Sequence, residues 1–181
     1  MSRIFIALTP DENLNKEIIG IKSQLKELLF KDSVLTWTQK NHHHITINFI
    51  GPMEPEQIEE MYSNLEEIEV LGAAIRLEIT EVSYFPNENS QVLVANISIP
   101  TQLQKLRSQV QALVSQIGFD TNQKGYKPHI TLARFKNKAR PFKELIVLEE
   151  PIKTSFSSLD VYKSSFESGK TKHKMIKRFN F

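Results

Sequence analysis

The chain has 181 residues, an apolar fraction of 40%, a charged fraction of 24% and a net charge of +2, a globular composition long enough to bury a core in one compact domain. It contains no cysteine, so disulfides, cysteine-ligated zinc and a thiol nucleophile are excluded. The N-terminus lacks a signal-peptide pattern and no apolar run approaches the ~18 residues of a membrane span, which sets the expectation of a soluble cytoplasmic protein.

Residues 3 to 8, RIFIAL, read as a buried strand. Thr9 then has the place of a helix cap, with Pro10 at the first helical position and Glu12 three residues on. Leu14, Ile18, Ile21, Leu25 and Leu28 follow at helical spacing and predict a helix ending near Leu29 or Phe30. Strands are expected over Val34 to Trp37 and His44 to Ile50, the second stopped by Gly51-Pro52. Pro55 opens a helix with Ile58, Met61, Leu65 and Ile68 on one face.

Residues 75 to 85 and 91 to 99 flank PNENS and read as an antiparallel hairpin. Pro100 begins a helix striped with Leu103, Leu106, Val110, Leu113, Val114 and Ile117, and Gly118 follows its end. His129 to Phe135 is a strand, and strand-like segments close the chain near 154 to 163 and 174 to 181. No shift in composition marks a linker, so residues 1 to 181 form one expected unit. Charge is unevenly spread: Glu54 to Glu81 is acidic with Arg76 its lone base, whereas Lys124, Lys127, Arg134, Lys136, Lys138, Arg140 and Lys143 form a basic window without an acid.

Each half delivers a His-apolar-Thr-apolar tetrapeptide onto a strand after a helix: His44-Ile45-Thr46-Ile47 and His129-Ile130-Thr131-Leu132. A duplicated α+β unit explains the repetition. Strand alternation turns His44 with Thr46, and His129 with Thr131, to one face, leaving Ile45, Ile47, Ile130 and Leu132 for the core. Two imidazoles facing across a phosphate can cleave a phosphodiester. The neutral one takes a proton from water, the protonated one gives a proton to the leaving oxygen, and the threonine hydroxyls donate to the phosphate oxygens. This chemistry needs no metal and no cofactor.

The neighbouring histidines have plainer readings. His42 and His43 are expected to be exposed where the strand begins, and His173, among lysines, to be solvated. Adjacent histidines cannot all face one ion, which argues against a metal site over residues 42 to 44.

In their longer contexts, HITINFIG and YKPHITLARF, the paired motifs resemble the two-histidine phosphoesterase superfamily, and within it the LigT-like RNA 2',3'-cyclic phosphodiesterases. RIFIAL, Trp37, Gly51 and the closing SLDVYKSSFESGKTKH segment extend the likeness over nearly the whole chain. The resemblance implies a bilobal fold with pseudo-twofold symmetry, two antiparallel sheets forming a central cleft and helices outside. It implies hydrolysis of RNA terminal 2',3'-cyclic phosphate to a 2'-phosphate, with 2'-5' RNA ligation as the reverse reaction in some members.

On that mapping His44 is the acid toward the 3' oxygen and His129 the base for water, and the partner is RNA or a nucleotide bearing the cyclic end, bound by a monomer. Phe49 and Arg134, each five residues past its histidine, match a base-stacking aromatic and a substrate-contacting arginine, while Tyr126 and Lys127 read as residues of the cleft mouth or of a solvated loop. An odd offset faces away from the imidazole in a regular strand, so these two roles demand a bulge or a strand end. Ile47 and Asn48 replace the commoner leucine and basic residue, which bears on substrate preference. Two other readings share the cleft: a non-catalytic nucleotide- or RNA-binding module, and a phosphodiesterase acting on another small cyclic phosphate.

Overall fold

A computed structural model describes residues 2–28, 35–68, 74–120, 125–136, 146–167 and 170–181. The elements run β1 (Ser2–Leu8), α1 (Glu12–Leu28), β2 (Leu35–Trp37), a 3-10 turn (Lys40–His42), β3 (Ile45–Met53), α2 (Pro55–Glu66), β4 (Ile75–Phe85), β5 (Val92–Ile97), α3 (Thr101–Gln116), β6 (His129–Phe135), β7 (Ile146–Phe156), β8 (Ser158–Glu167) and β9 (Lys170–Asn180). The chain is α+β, and every strand pairing among the described residues is antiparallel.

The strand order is β7-β4-β5-β6-β3-β1-β8-β9, with β2 beside β6. It divides into two halves, β3-β1-β8-β9 and β6-β5-β4-β7, joined at one pair, Ile45 with Ile130. β1-α1-β3 in one half corresponds to β5-α3-β6 in the other, which is the duplication expected from the repeated tetrapeptides. One face of the sheet is apolar. Ile4, Ile6, Leu8, Ile45, Ile47, Ile130 and Leu132 pack there with Leu14, Ile18, Leu65, Leu106 and Val110 of the three helices. The other face carries a separate small cluster of Phe5, Ala7 and Tyr162.

Several boundaries differ from the sequence reading for identifiable reasons. Asp11, not Thr9, caps α1: its Oδ1 accepts from the Leu14 N–H at 2.8 Å. Thr9 instead bonds Asp160 and, at 2.7 Å, the Tyr162 hydroxyl. The expected end of the first helix, Leu29 or Phe30, lies outside the described residues, as does Val34. β3 does not stop at Gly51-Pro52. Gly51, with φ of 103°, pairs with Ile4, and Pro52 with Arg3, so the strand continues to Met53.

The segment expected near 154 to 163 divides between the end of β7 and most of β8, and β7 is an edge strand whose Glu149, Glu150, Pro151 and Lys153 are exposed. Charges and proline protect an edge from further pairing and mask the strand signal. The hairpin at PNENS, the helices at Pro55 and Pro100, and the strand His129–Phe135 lie where the periodicity places them. No described helix is long and apolar enough to cross a membrane.

Candidate active site

The antiparallel pair Ile45–Ile130 turns both isoleucines into the core, so the residues on either side of each emerge on the opposite face. The pairing direction sets His44 toward Thr131 and His129 toward Thr46. The two imidazoles are held alike. His44 Nδ1 lies 2.8 Å from the carbonyl oxygen of His42, and His129 Nδ1 lies 2.8 Å from that of Lys127. A carbonyl only accepts, so each Nδ1 carries the hydrogen and each Nε2 keeps its lone pair for other work.

The walls differ. Phe5 lies against His44 with ring centroids 5.1 Å apart, and Phe85 lies against His129 at 3.9 Å. Burial pushes the His44 imidazole down to about 4; the nearby His173 and His129 add to this and the His42 carbonyl opposes it. Burial also lowers His129, with Arg134 adding to the effect and the Lys127 carbonyl opposing it.

Phe49 and Arg134 reach this face through matching irregularities. Along β1 the partners jump from Thr46 to Asn48, leaving out Ile47; along β5 they jump from Thr131 to Ala133, leaving out Leu132. Each motif is thus followed by a bulge at the third residue beyond its histidine, which reverses the alternation. Phe49, 44% exposed, stacks on Phe5 at 6.4 Å and 14°, and the charge of Arg134 acts on both His129 and His173. Of the two ways out of the parity conflict, a bulge or a strand end, both copies have the bulge.

Tyr126 stands elsewhere. Its hydroxyl donates to the Thr46 carbonyl at 3.0 Å, its ring packs on the core under the Arg107 guanidinium at 4.4 Å, and burial pushes its phenol well above the usual range. It ties the segment before β6 to β3 through the Thr46 carbonyl. Lys127 is exposed and reaches the Pro86 carbonyl at 3.4 Å. Of the basic window, Lys136 is exposed, while Lys124, Lys138, Arg140 and Lys143 lie outside the described residues.

Three histidines depart from expectation. His43 is not exposed but 1% accessible, because alternation aims it into the core with Ile45. Its Nδ1 donates to Asn15 Oδ1 at 2.8 Å and its Nε2 accepts from Lys22 Nζ at 3.2 Å, so both ring nitrogens are used on the α1 side. His173 is not solvated. It is half-buried against the site, its ring 5.4 Å from His44 and 5.0 Å from Phe5, and His42, also half-buried, lies 6.1 Å from it. Its position on β9 opposite Ser164 would have followed only from the strand order.

Sequence reasoning also passed over a polar group beside the cleft. Asp160, fully buried, accepts from Arg178 Nε at 2.7 Å and Nη2 at 2.8 Å, and from Thr9. Tyr162, bonded to Thr9, stacks on Phe5 at 5.0 Å and 7°. Among the described residues no three carboxylate or imidazole side chains form a metal-ligand group.

The model of a family described as the 2'-5' RNA ligase superfamily matches residues 11–165. The chain is similar to the RNA 2',3'-cyclic phosphodiesterase of Methanocaldococcus jannaschii, 25% identical over 74% of this chain and 72% of that protein. It is likewise similar to the RNA 2',3'-cyclic phosphodiesterase of Thermotoga maritima, 24% identical over 90% of this chain and 87% of that one. In fold it resembles the apo form of LigT from E. coli, with a TM-score of 0.76 and 18% identity over 99% of this chain and 96% of that one. On the family match across most of its length, the chain belongs to the 2'-5' RNA ligase superfamily.

Proposed function

We propose that the chain hydrolyses the 2',3'-cyclic phosphate at the end of an RNA to a 2'-phosphate, using His44 and His129 as an acid-base pair and no metal. The observation that carries this is the matched pair of imidazoles, each fixed through Nδ1–H to a backbone carbonyl and each leaving Nε2 toward the face shared with Thr46 and Thr131. The relatives bearing the name RNA 2',3'-cyclic phosphodiesterase support the substrate class.

In the reaction one neutral Nε2 takes a proton from water as its oxygen attacks phosphorus. The other imidazole, protonated, gives its proton to the departing 3' oxygen, so the bond to that oxygen breaks and a 2'-phosphate with a free 3'-hydroxyl results. Thr46 and Thr131 donate to the non-bridging oxygens, and Arg134 offsets their growing charge. With a 5'-hydroxyl in place of water, the same proton transfers give a 2'-5' link. Each half of one chain supplies one histidine, so a monomer holds the complete site as a single two-lobed unit, and a cytoplasmic setting suits it.

The test is phosphorus NMR of the product from a nucleoside 2',3'-cyclic phosphate incubated with the protein in excess chelator. A 2'-phosphate is expected. A 3'-phosphate would overturn the regiochemistry, and an unchanged cyclic phosphate the reading itself.

A further inference from the structure

We infer that the outer part of the β8–β9 hairpin, on the face it shares with the two histidines, is a subsite for the nucleotide preceding the cyclic phosphate, so that the site takes an oligoribonucleotide end in preference to a mononucleotide. This rests on the hydrolytic reading above and deepens it.

Alternation along β8 sends Leu159 and Val161 to the core and Asp160, Tyr162, Ser164 and Phe166 to the cleft face. The register carries these positions across the sheet in rows. Phe49, Phe5, Tyr162 and Met175 make one row, Arg3, Ser164 and His173 the next, and Phe166 with Thr171 the outermost. Of the six large apolar side chains exposed among the described residues, three lie on this face: Phe49, Met175 and Phe166, the last 74% exposed.

Scattered exposed apolar side chains need no explanation, but an aligned series next to a site does. Here the exposed aromatic ring alternates with groups suited to a phosphate backbone. Arg3 stands in the row between, the hydroxyls of Ser164 and Thr171 flank Phe166, and the charge of Arg134 acts across the cleft on His173. Aromatic platforms separated by cationic and hydroxyl groups are what single-stranded nucleic acid requires. An apolar protein partner would gain nothing from the guanidinium and imidazole in the middle row.

Four strand residues from Tyr162 to Phe166 span about 13 Å. That lies beyond the nucleotide whose phosphate sits between the histidines, and within reach of its neighbour. His173 stands at the junction, its ring against both His44 and Phe5.

The test compares two substrates in the wild type and in Phe166→Ala, a change at an exposed side chain that spares the core. Activity on a nucleoside 2',3'-cyclic phosphate is expected to stay the same. On a hexaribonucleotide ending in the cyclic phosphate, kcat/KM is expected to fall about tenfold, the loss of one stacked base, with Arg3→Gln giving a smaller fall that shrinks as salt rises. Fluorescence anisotropy with a labelled hexaribonucleotide ending in a 2'-phosphate should show the same weakening of Kd. Equal values for Phe166→Ala and wild type on the hexamer, or an equal loss on both substrates, would overturn the subsite. Should the wild type turn over neither substrate, the hydrolytic reading fails and the anisotropy alone decides whether this face holds RNA.

Discussion

The ring of His173 stands edge-on to that of His44, centroids 5.4 Å apart and planes at 78°, whereas the ring packed on His129 is Phe85, tilted at 32°. A near-symmetric pair of motifs thus works in unsymmetric surroundings. Phosphodiester hydrolysis is itself unsymmetric, with water on one side of phosphorus and the leaving oxygen on the other. The difference between the walls therefore gives the two imidazoles a physical basis for different duties, which the repeated tetrapeptides alone do not.

Replacing His44 or His129 by alanine is expected to lower kcat by roughly 10²–10⁴-fold, the usual contribution of a positioned acid or base. Both rings are partly open to the cleft, so the fold should survive, as circular dichroism and thermal melts would show. The double replacement should cost little more than either single one, because the two act in one step. Retention of most activity in either single variant would refute the paired mechanism.

What could be read from the sequence follows the range of the interactions. His44, Thr46, His129 and Thr131 were legible because a two-residue period decides the facing of a strand side chain without knowledge of its neighbours. The conflict between that period and the roles implied for Phe49 and Arg134 signalled an irregularity, a bulge or a strand end, but the register alone places bulges at Ile47 and Leu132. The same rule, applied one residue earlier, puts His43 in the core, and reading it as exposed gave composition precedence over alternation. His173 was hidden for another reason. Its local context is Lys172 and Lys174, which face away, and its actual neighbours Phe5 and His44 come from strands far off in sequence. Thr9 had the chemistry of a helix cap and a better partner in Asp160, which only the adjacency of β1 and β8 reveals.

His43 links the start of β3 to α1 through Asn15 and Lys22. Alanine there strands the Asn15 side-chain oxygen, leaves the Lys22 ammonium with the Thr38 carbonyl but without its ring partner, and opens a cavity, with an expected loss of roughly 2–4 kcal/mol in urea unfolding. It also carries a pH signature. Burial, then the Lys22 charge, pushes the folded His43 down to about 4 from the ordinary 6.5, so between those values the unfolded chain holds more protons. Stability is full above about 6.5 and declines as pH falls toward 4, by on the order of 3 kcal/mol from this group. In His43→Gln that slope should flatten. An unchanged slope would mean that other groups set the acid limit.

Tyr126 separates a positioning role from substrate contact. Removing its hydroxyl in Tyr126→Phe deletes the bond to the Thr46 carbonyl, worth about 1 kcal/mol, while the ring remains under Arg107. A lower melting temperature with KM nearly unchanged is expected. A several-fold rise in KM at undiminished stability would place the hydroxyl on the substrate instead.

The pH profile tests the electrostatics of the pair itself. In the free protein burial holds His44 at about 4 and His129 below the ordinary 6.5, so both are neutral near pH 7, yet the reaction needs one of them protonated. The productive form is therefore most populated on the acid side of neutrality, whichever ring is the acid. Since kcat/KM reports the free enzyme, its bell should have its maximum between about 4 and 6.5, with limbs that belong to the coupled pair. A bound anion favours the imidazolium, so the profile of kcat should lie at higher pH than that of kcat/KM. In His173→Gln a neighbour whose charge opposes protonation of His44 is gone, and the limb governed by His44 should move upward. A kcat/KM bell with both limbs above about 7 would show that the cleft is wetter than its walls imply, and a limb unmoved in His173→Gln would show that the two rings do not sense each other.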